Sequence, residues 1–116
     1  MEKADIAIVG LGVMGENLAL NFERNGFRVT GFDVDAVKRA SFDSRTVGLR
    51  AAAAPTLAKA VASLSMPRKL LLMVPAGAPV DDVLAELRTM LAHGDVVIDG
   101  GNSRFADTER RMIELE

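Results

Sequence analysis

The sequence predicts an α/β protein built on a parallel, doubly wound sheet. Three observations predict it. Short apolar runs alternate with stretches of helical periodicity along the chain. One run, Lys69 to Val74, is almost wholly apolar (Leu70, Leu71, Leu72, Met73, Val74), as a strand covered on both faces requires. The first run, Asp5 to Val9, passes directly into Gly10-Leu11-Gly12-Val13-Met14-Gly15, a glycine-spaced turn that opens a helical pattern. With 116 residues, 49% of them hydrophobic, the chain suffices for one ordinary domain with its own core, read here as residues 1–116.

The first strand is expected over Asp5 to Val9 and the first helix over Met14 to Asn25, with Met14, Leu18 and Phe22 facing inward at i, i+4 and i+8. Asn25-Gly26 stops that helix, because glycine tolerates the left-handed cap. A second strand spans Arg28 to Phe32 and a helix Ala36 to Phe42. Thr46 to Arg50 reads equally as a short third strand or a loop. Pro55 suits the first turn of a helix running to Leu64, with Leu57, Val61 and Leu64 inward. After the apolar strand, Pro79 opens a helix whose inward stripe is Val80, Val83, Leu84, Leu87, Met90 and Leu91. Asp81 and Asp82 lie in its first turn, where the helix dipole favours them. Val96-Val97-Ile98 forms the next strand and ends at Asp99-Gly100-Gly101-Asn102. A polar helix is expected from near Asp107 to Glu116, which leaves the sheet truncated at its C-terminal end.

Composition narrows the function classes. A net charge of −2 offers no basic surface for nucleic acid. No Cys and a single His argue against disulfides and structural zinc, so no metal is expected. No stretch approaches a signal peptide or a membrane span, and a cytoplasmic protein is expected.

The glycine turn is the candidate site. G-x-G-x-x-G after a strand and before a helix, with an acidic residue closing the next strand, is the layout of a Rossmann-like dinucleotide site. Gly10 allows the tight turn, Gly12 lets backbone approach a pyrophosphate, and Gly15 lets helix and strand pack closely. The helix start then offers N–H donors and a positive dipole end to the anion. A carboxylate at Asp33 accepts from ribose hydroxyls and repels a 2′-phosphate, which favours NAD over NADP; the other reading is a turn or capping aspartate, a role Asp35 fits better. Lys38 and Arg39 are either solvated helix charges or a means of binding NADP after all. Val74-Pro75-Ala76 closes a strand on the same rim, beside the adenosine or as a plain turn into the next helix. Asn102, after two glycines, meets either the nicotinamide side or a substrate hydroxyl, or else caps the next helix. Asp99 reads as a structural hydrogen bonder, His93 as a surface residue, and Arg110 and Arg111 as a solvated face.

Together these pieces resemble 6-phosphogluconate dehydrogenase, the decarboxylating enzyme of the pentose phosphate pathway. The resemblance rests on Gly10 to Leu18, Pro67 to Val74, Ala76-Gly77 with Val80-Asp81-Asp82, Gly94 to Ser103, and Asp107-Thr108 with Arg110-Arg111. It implies that Gly10, Leu11, Gly12, Val13, Met14 and Gly15 hold the pyrophosphate and that Asp33, Val34 and Asp35 flank the ribose. It also implies that Val74, Pro75 and Ala76 line the coenzyme and that Asn102 lies between nicotinamide and substrate. The family oxidises 6-phosphogluconate at C3, passes hydride to the nicotinamide and loses CO2 to give ribulose 5-phosphate. Most members carry Asn-Arg-Thr or Asn-Arg-Ser where this chain has Asp33-Val34-Asp35, and many carry Lys in place of Pro75; both departures point to NAD, with NADP the alternative. The family's catalytic Lys and Glu and its helical domain lie beyond residue 116, so no catalytic residue is expected here, and the homo-oligomer the family forms is expected only at full length. A 3-hydroxyisobutyrate-type dehydrogenase domain and a non-catalytic NAD-binding module are the other readings.

Overall fold

The computed structural model describes residues 3–74, 78–100 and 113–114. Their elements run β1 (Ile6–Val9), α1 (Val13–Arg24), β2 (Val29–Phe32), α2 (Ala36–Arg45), β3 (Ala51–Ala53), α3 (Leu57–Ala62), β4 (Lys69–Leu72), α4 (Ala78–Leu87), β5 (Val96–Asp99) and β6 (Ile113–Glu114). The sheet order is β3-β2-β1-β4-β5-β6, and the first five strands are parallel. The α/β fold class read from the sequence therefore holds. The order turns back between β1 and β4, paired through Ala7 with Leu70 and Val9 with Leu72. Such a switch point leaves a crevice beyond the carboxyl ends of its two strands.

Two apolar layers hold the sheet. On one face Ile8, Leu11, Ala19, Val29, Phe42 and Ala51 form a cluster with α1 and α2. On the other, Ala7, Val9, Leu70, Leu72 and Val97 meet Leu57, Val61, Val83 and Leu87 from α3 and α4. Gly31 is required where Phe42 crosses β2, because a Cβ there would stand 2.8 Å from Phe42 Cε2. The inward stripe expected of α4 holds for Val83 and Leu87, which are buried, and for Leu84, Met90 and Leu91, which are partly so.

The structure corrects several expectations. The inward face of α1 is Gly15, Ala19 and Phe22 rather than Met14, Leu18 and Phe22; Met14 is 63% exposed. Small residues bring this helix against the sheet, so side-chain size outweighs hydrophobicity. Thr46 to Arg50 is neither strand nor loose loop. The Thr46 hydroxyl donates to the Phe42 carbonyl at 2.8 Å and Gly48 turns the chain at φ 81°, so the third strand follows at Ala51–Ala53. Pro55 precedes α3 instead of opening it. The cap is Thr56, whose hydroxyl accepts from the Lys59 N–H at 3.1 Å. β4 is covered fully on one face only: Leu70 and Leu72 are buried, Leu71 is half-buried and Lys69 exposed. α1 packs over β1, β2 and β3, so its layer stops short of β5, where Ile98 is 38% exposed. At the two described residues of the expected last helix there is strand: β6 pairs antiparallel with β5, Val97 with Ile113, on backbone groups that an edge strand leaves unpaired.

Candidate functional site

The crevice at the switch point is a cleft of about 690 Å³ lined by all three glycines of the turn. Each glycine has a separate physical reason. Gly10 adopts φ 107°, and a Cβ there would stand 2.6 Å from the Met73 carbonyl carbon and oxygen. A Cβ on Gly15 would fall on the Gly10 carbonyl oxygen, which is how α1 comes so close to β1. A Cβ on Gly12 would meet nothing within 4 Å, so the chain's own packing leaves the space over that residue open. Gly12 is also the N-cap of α1 and no side chain fills the cap, which leaves the first-turn N–H donors for an anion.

Asp33 follows β2 and lies on the rim of the cleft, only 9% exposed. Its Oδ2 accepts the Leu11 N–H at 2.8 Å and its Oδ1 the Asp35 N–H at 2.9 Å. One carboxylate thus ties the glycine turn to the β2–α2 turn. A carboxylate has about four lone-pair positions, so these two bonds leave acceptor capacity toward a ribose. Asp35 caps α2, its Oδ1 accepting from the Val37 N–H at 2.8 Å, and still lines the cleft.

Val13, Met14, Val34 and Val74 also line the cleft. Leu11 does not: its side chain is buried in the core beside Gly31 and Phe42, and its backbone N–H is held by Asp33. Pro75, Ala76, Asn102, Arg110 and Arg111 lie outside the described residues. Arg39 turns away to the backbone, donating from Nη1 to the Asp33 carbonyl at 2.7 Å and the Val34 carbonyl at 3.2 Å. Lys38 lines the cleft and has no hydrogen-bond or ion-pair partner among the described residues. Asp99 is fully buried at the end of β5 and His93 is exposed.

Four lining residues escaped sequence reasoning: Met73, Asp82, Val83 and Glu86. Met73 and Val83 carry only an apolar signal that reads as core. Asp82 and Glu86 stand at i and i+4 on α4, one helical face, and that spacing was the available clue.

Residues 5–116 match the family model described as the NAD binding domain of 6-phosphogluconate dehydrogenase. The decarboxylating 6-phosphogluconate dehydrogenase of Synechococcus elongatus is 50% identical over 117 aligned positions, which cover 100% of this chain and 25% of that protein. The chain thus spans about a quarter of the length of the curated relatives it matches. Among solved structures, Plasmodium falciparum 6-phosphogluconate dehydrogenase superposes with a TM-score of 0.82 at 32% identity, over 92% of this chain and 23% of that one; it was solved apo, with its cofactor NADP+, and with its substrate 6-phosphogluconate. Mycobacterium tuberculosis 3-hydroxyisobutyrate dehydrogenase superposes with a TM-score of 0.73 at 21% identity, over 93% of this chain and 35% of that one, which shows a shared fold.

Proposed function

The chain belongs to the family of NAD-binding domains of 6-phosphogluconate dehydrogenase, and from that premise we propose that residues 1–116 hold and orient the coenzyme for oxidative decarboxylation of 6-phosphogluconate to ribulose 5-phosphate. The observation that carries the reading is the cleft at the switch point, where the open space over Gly12 and the uncapped start of α1 meet the carboxylate of Asp33.

When bound, the nicotinamide supplies the hydride acceptor. The chain's own residues do the rest. Gly12 to Gly15 present backbone N–H groups to the pyrophosphate, and Gly10 fits the turn against Met73. Asp33 holds Leu11 and Asp35 in place and accepts from the ribose hydroxyls with its remaining lone pairs. Val34 stands at that end without a charge for a 2′-phosphate, and Asp35 adds a second carboxylate, so NAD is the proposed coenzyme. The guanidinium of Arg39 is spent on the carbonyls of Asp33 and Val34, whereas Lys38 lines the cleft and is a cation that works against this preference. Val74, Pro75 and Ala76 are proposed along the coenzyme and Asn102 between nicotinamide and substrate, on the family resemblance.

No catalytic acid or base is assigned to this chain. The proposal includes a homo-oligomer for the full-length enzyme and a cytoplasmic setting, both on the family resemblance. Among the described residues no helix is long and apolar enough to cross a membrane. Titration with NADH, followed by nicotinamide fluorescence, should give saturable binding, while NAD+ with 6-phosphogluconate should give no absorbance rise at the NADH band. Turnover by these 116 residues would refute the division of labour, and absence of binding would refute the coenzyme role.

A further inference from the structure

Glu16 carries a charge that opposes the site it adjoins. It lies in the first turn of α1, directly after Gly15, and its backbone N–H donates to the Gly12 carbonyl at 2.9 Å. A carboxylate there draws on the same positive dipole end that the helix offers to a pyrophosphate. Its side chain is only 11% exposed, so solvent ions screen it poorly. Arg45, the last residue of α2, answers it: the guanidinium Nη1 donates to Glu16 Oε2 at 2.7 Å. A second pair stands two turns further along the same helix. Glu23 Oε2, also nearly buried, meets Arg50 Nε at 3.5 Å and accepts the Arg50 backbone N–H at 3.1 Å. None of these four residues lines the cleft. Thus α1 sets one paired carboxylate near each of its ends, and Glu16 is the one in the first turn.

We infer that Arg45 is a positioning residue for the coenzyme that acts through Glu16: it neutralises the carboxylate in the first turn of α1, so that the helix start can receive a pyrophosphate. The inference rests on the coenzyme reading above. Without the guanidinium, the Glu16 charge stands at the helix start with its ion pair broken and repels the incoming anion. A charge acts on a helix terminus within one turn and fades beyond it. The pair of Glu23 and Arg50, at the far end of α1, therefore does not set coenzyme affinity.

The test is calorimetric titration of the 116-residue chain with NAD+ at low and at high salt. At low salt Arg45→Met should bind about fivefold more weakly than the wild type, the effect one charge has at a helix terminus. High salt should shrink that ratio. Glu16→Gln removes the charge, keeps an acceptor for Arg45, and should bind at least as tightly as the wild type. The double variant Glu16→Gln, Arg45→Met should return to wild-type affinity, and Arg50→Met should match the wild type. A pair that only fastened α1 to α2 would instead weaken binding in Glu16→Gln and Arg45→Met alike. Weaker binding by Glu16→Gln, wild-type affinity in Arg45→Met, a double variant as weak as Arg45→Met, or equal weakening in Arg50→Met would overturn the inference while leaving the coenzyme reading intact. Glu16→Gln and the double variant decide the matter even where Arg45→Met does not fold. Failure of NAD+ to bind the wild type would overturn both.

Discussion

Replacing Asp33 by Asn isolates the tie between the two turns of the cleft. The substitution preserves shape and removes one acceptor. Both carboxylate oxygens are in use, on the Leu11 N–H at 2.8 Å and the Asp35 N–H at 2.9 Å, in a residue only 9% exposed. An amide can satisfy one of these donors with its oxygen, and its NH2 then confronts the other. The loss is one hydrogen bond to a charged acceptor, together with a buried N–H left without a partner. That amounts to about 2 kcal/mol. For a domain of this size it lowers Tm by about 8 °C. Urea denaturation followed by far-UV circular dichroism reads the first number and a thermal melt the second. The variant should also bind NAD+ more weakly, because Leu11 and Asp35 lose their common anchor. A stability within about 0.5 kcal/mol of the wild type would refute the reasoning, since a carboxylate that bridges two N–H groups cannot be neutralised without effect.

Other outcomes follow from the same geometry. Gly15→Ala places a methyl on the Gly10 carbonyl oxygen and forces α1 off β1, at about 3 kcal/mol, read as a lowered urea midpoint. Asp95 gives a pH dependence. Burial pushes its carboxyl up, but the N–H groups of Ala92 and Arg68 and then the Arg68 guanidinium outweigh that and hold it below the ordinary value of 3.8. Its folded value lies below its unfolded value, so its contribution is present above the unfolded value and lost as pH falls through the folded one. The urea midpoint should therefore drop at acid pH, and Asp95→Asn should flatten that part of the profile.

The fold was legible because its signals are redundant. The glycine turn, the run from Leu70 to Val74 and the stripe through Val83 and Leu87 each indicate the same parallel sheet. What escaped was decided by size and by distant partners. Ala51-Ala52-Ala53 has no β-forming character and becomes strand by pairing with β2. Met14 reads as core by periodicity, yet the close approach permitted by Gly15 and Ala19 turns it toward the cleft rim. Ile113–Glu114 lies in a polar stretch that reads as helix, and its strand depends on the open edge of β5, which no local pattern reveals. In the site, Gly10 and Gly15 show close contacts consistent with their spacing, and Asp33 lies on the rim of the cleft. Its bonds to Leu11 and Asp35 join segments far apart in sequence and had no sequence signature. Leu11 was read as a coenzyme contact from its place in the motif, but the structure gives its side chain to the core.

The proposed role of Asp33, Val34 and Asp35 is to make this a coenzyme cleft that prefers NAD. Calorimetric titration of the same protein with NAD+ and NADP+, side by side at one ionic strength, tests it most directly. NAD+ should bind saturably and at least about tenfold more tightly than NADP+, since a 2′-phosphate would meet the carboxylates of Asp33 and Asp35 at that end of the cleft. Equal affinity, or tighter binding of NADP+, would contradict it.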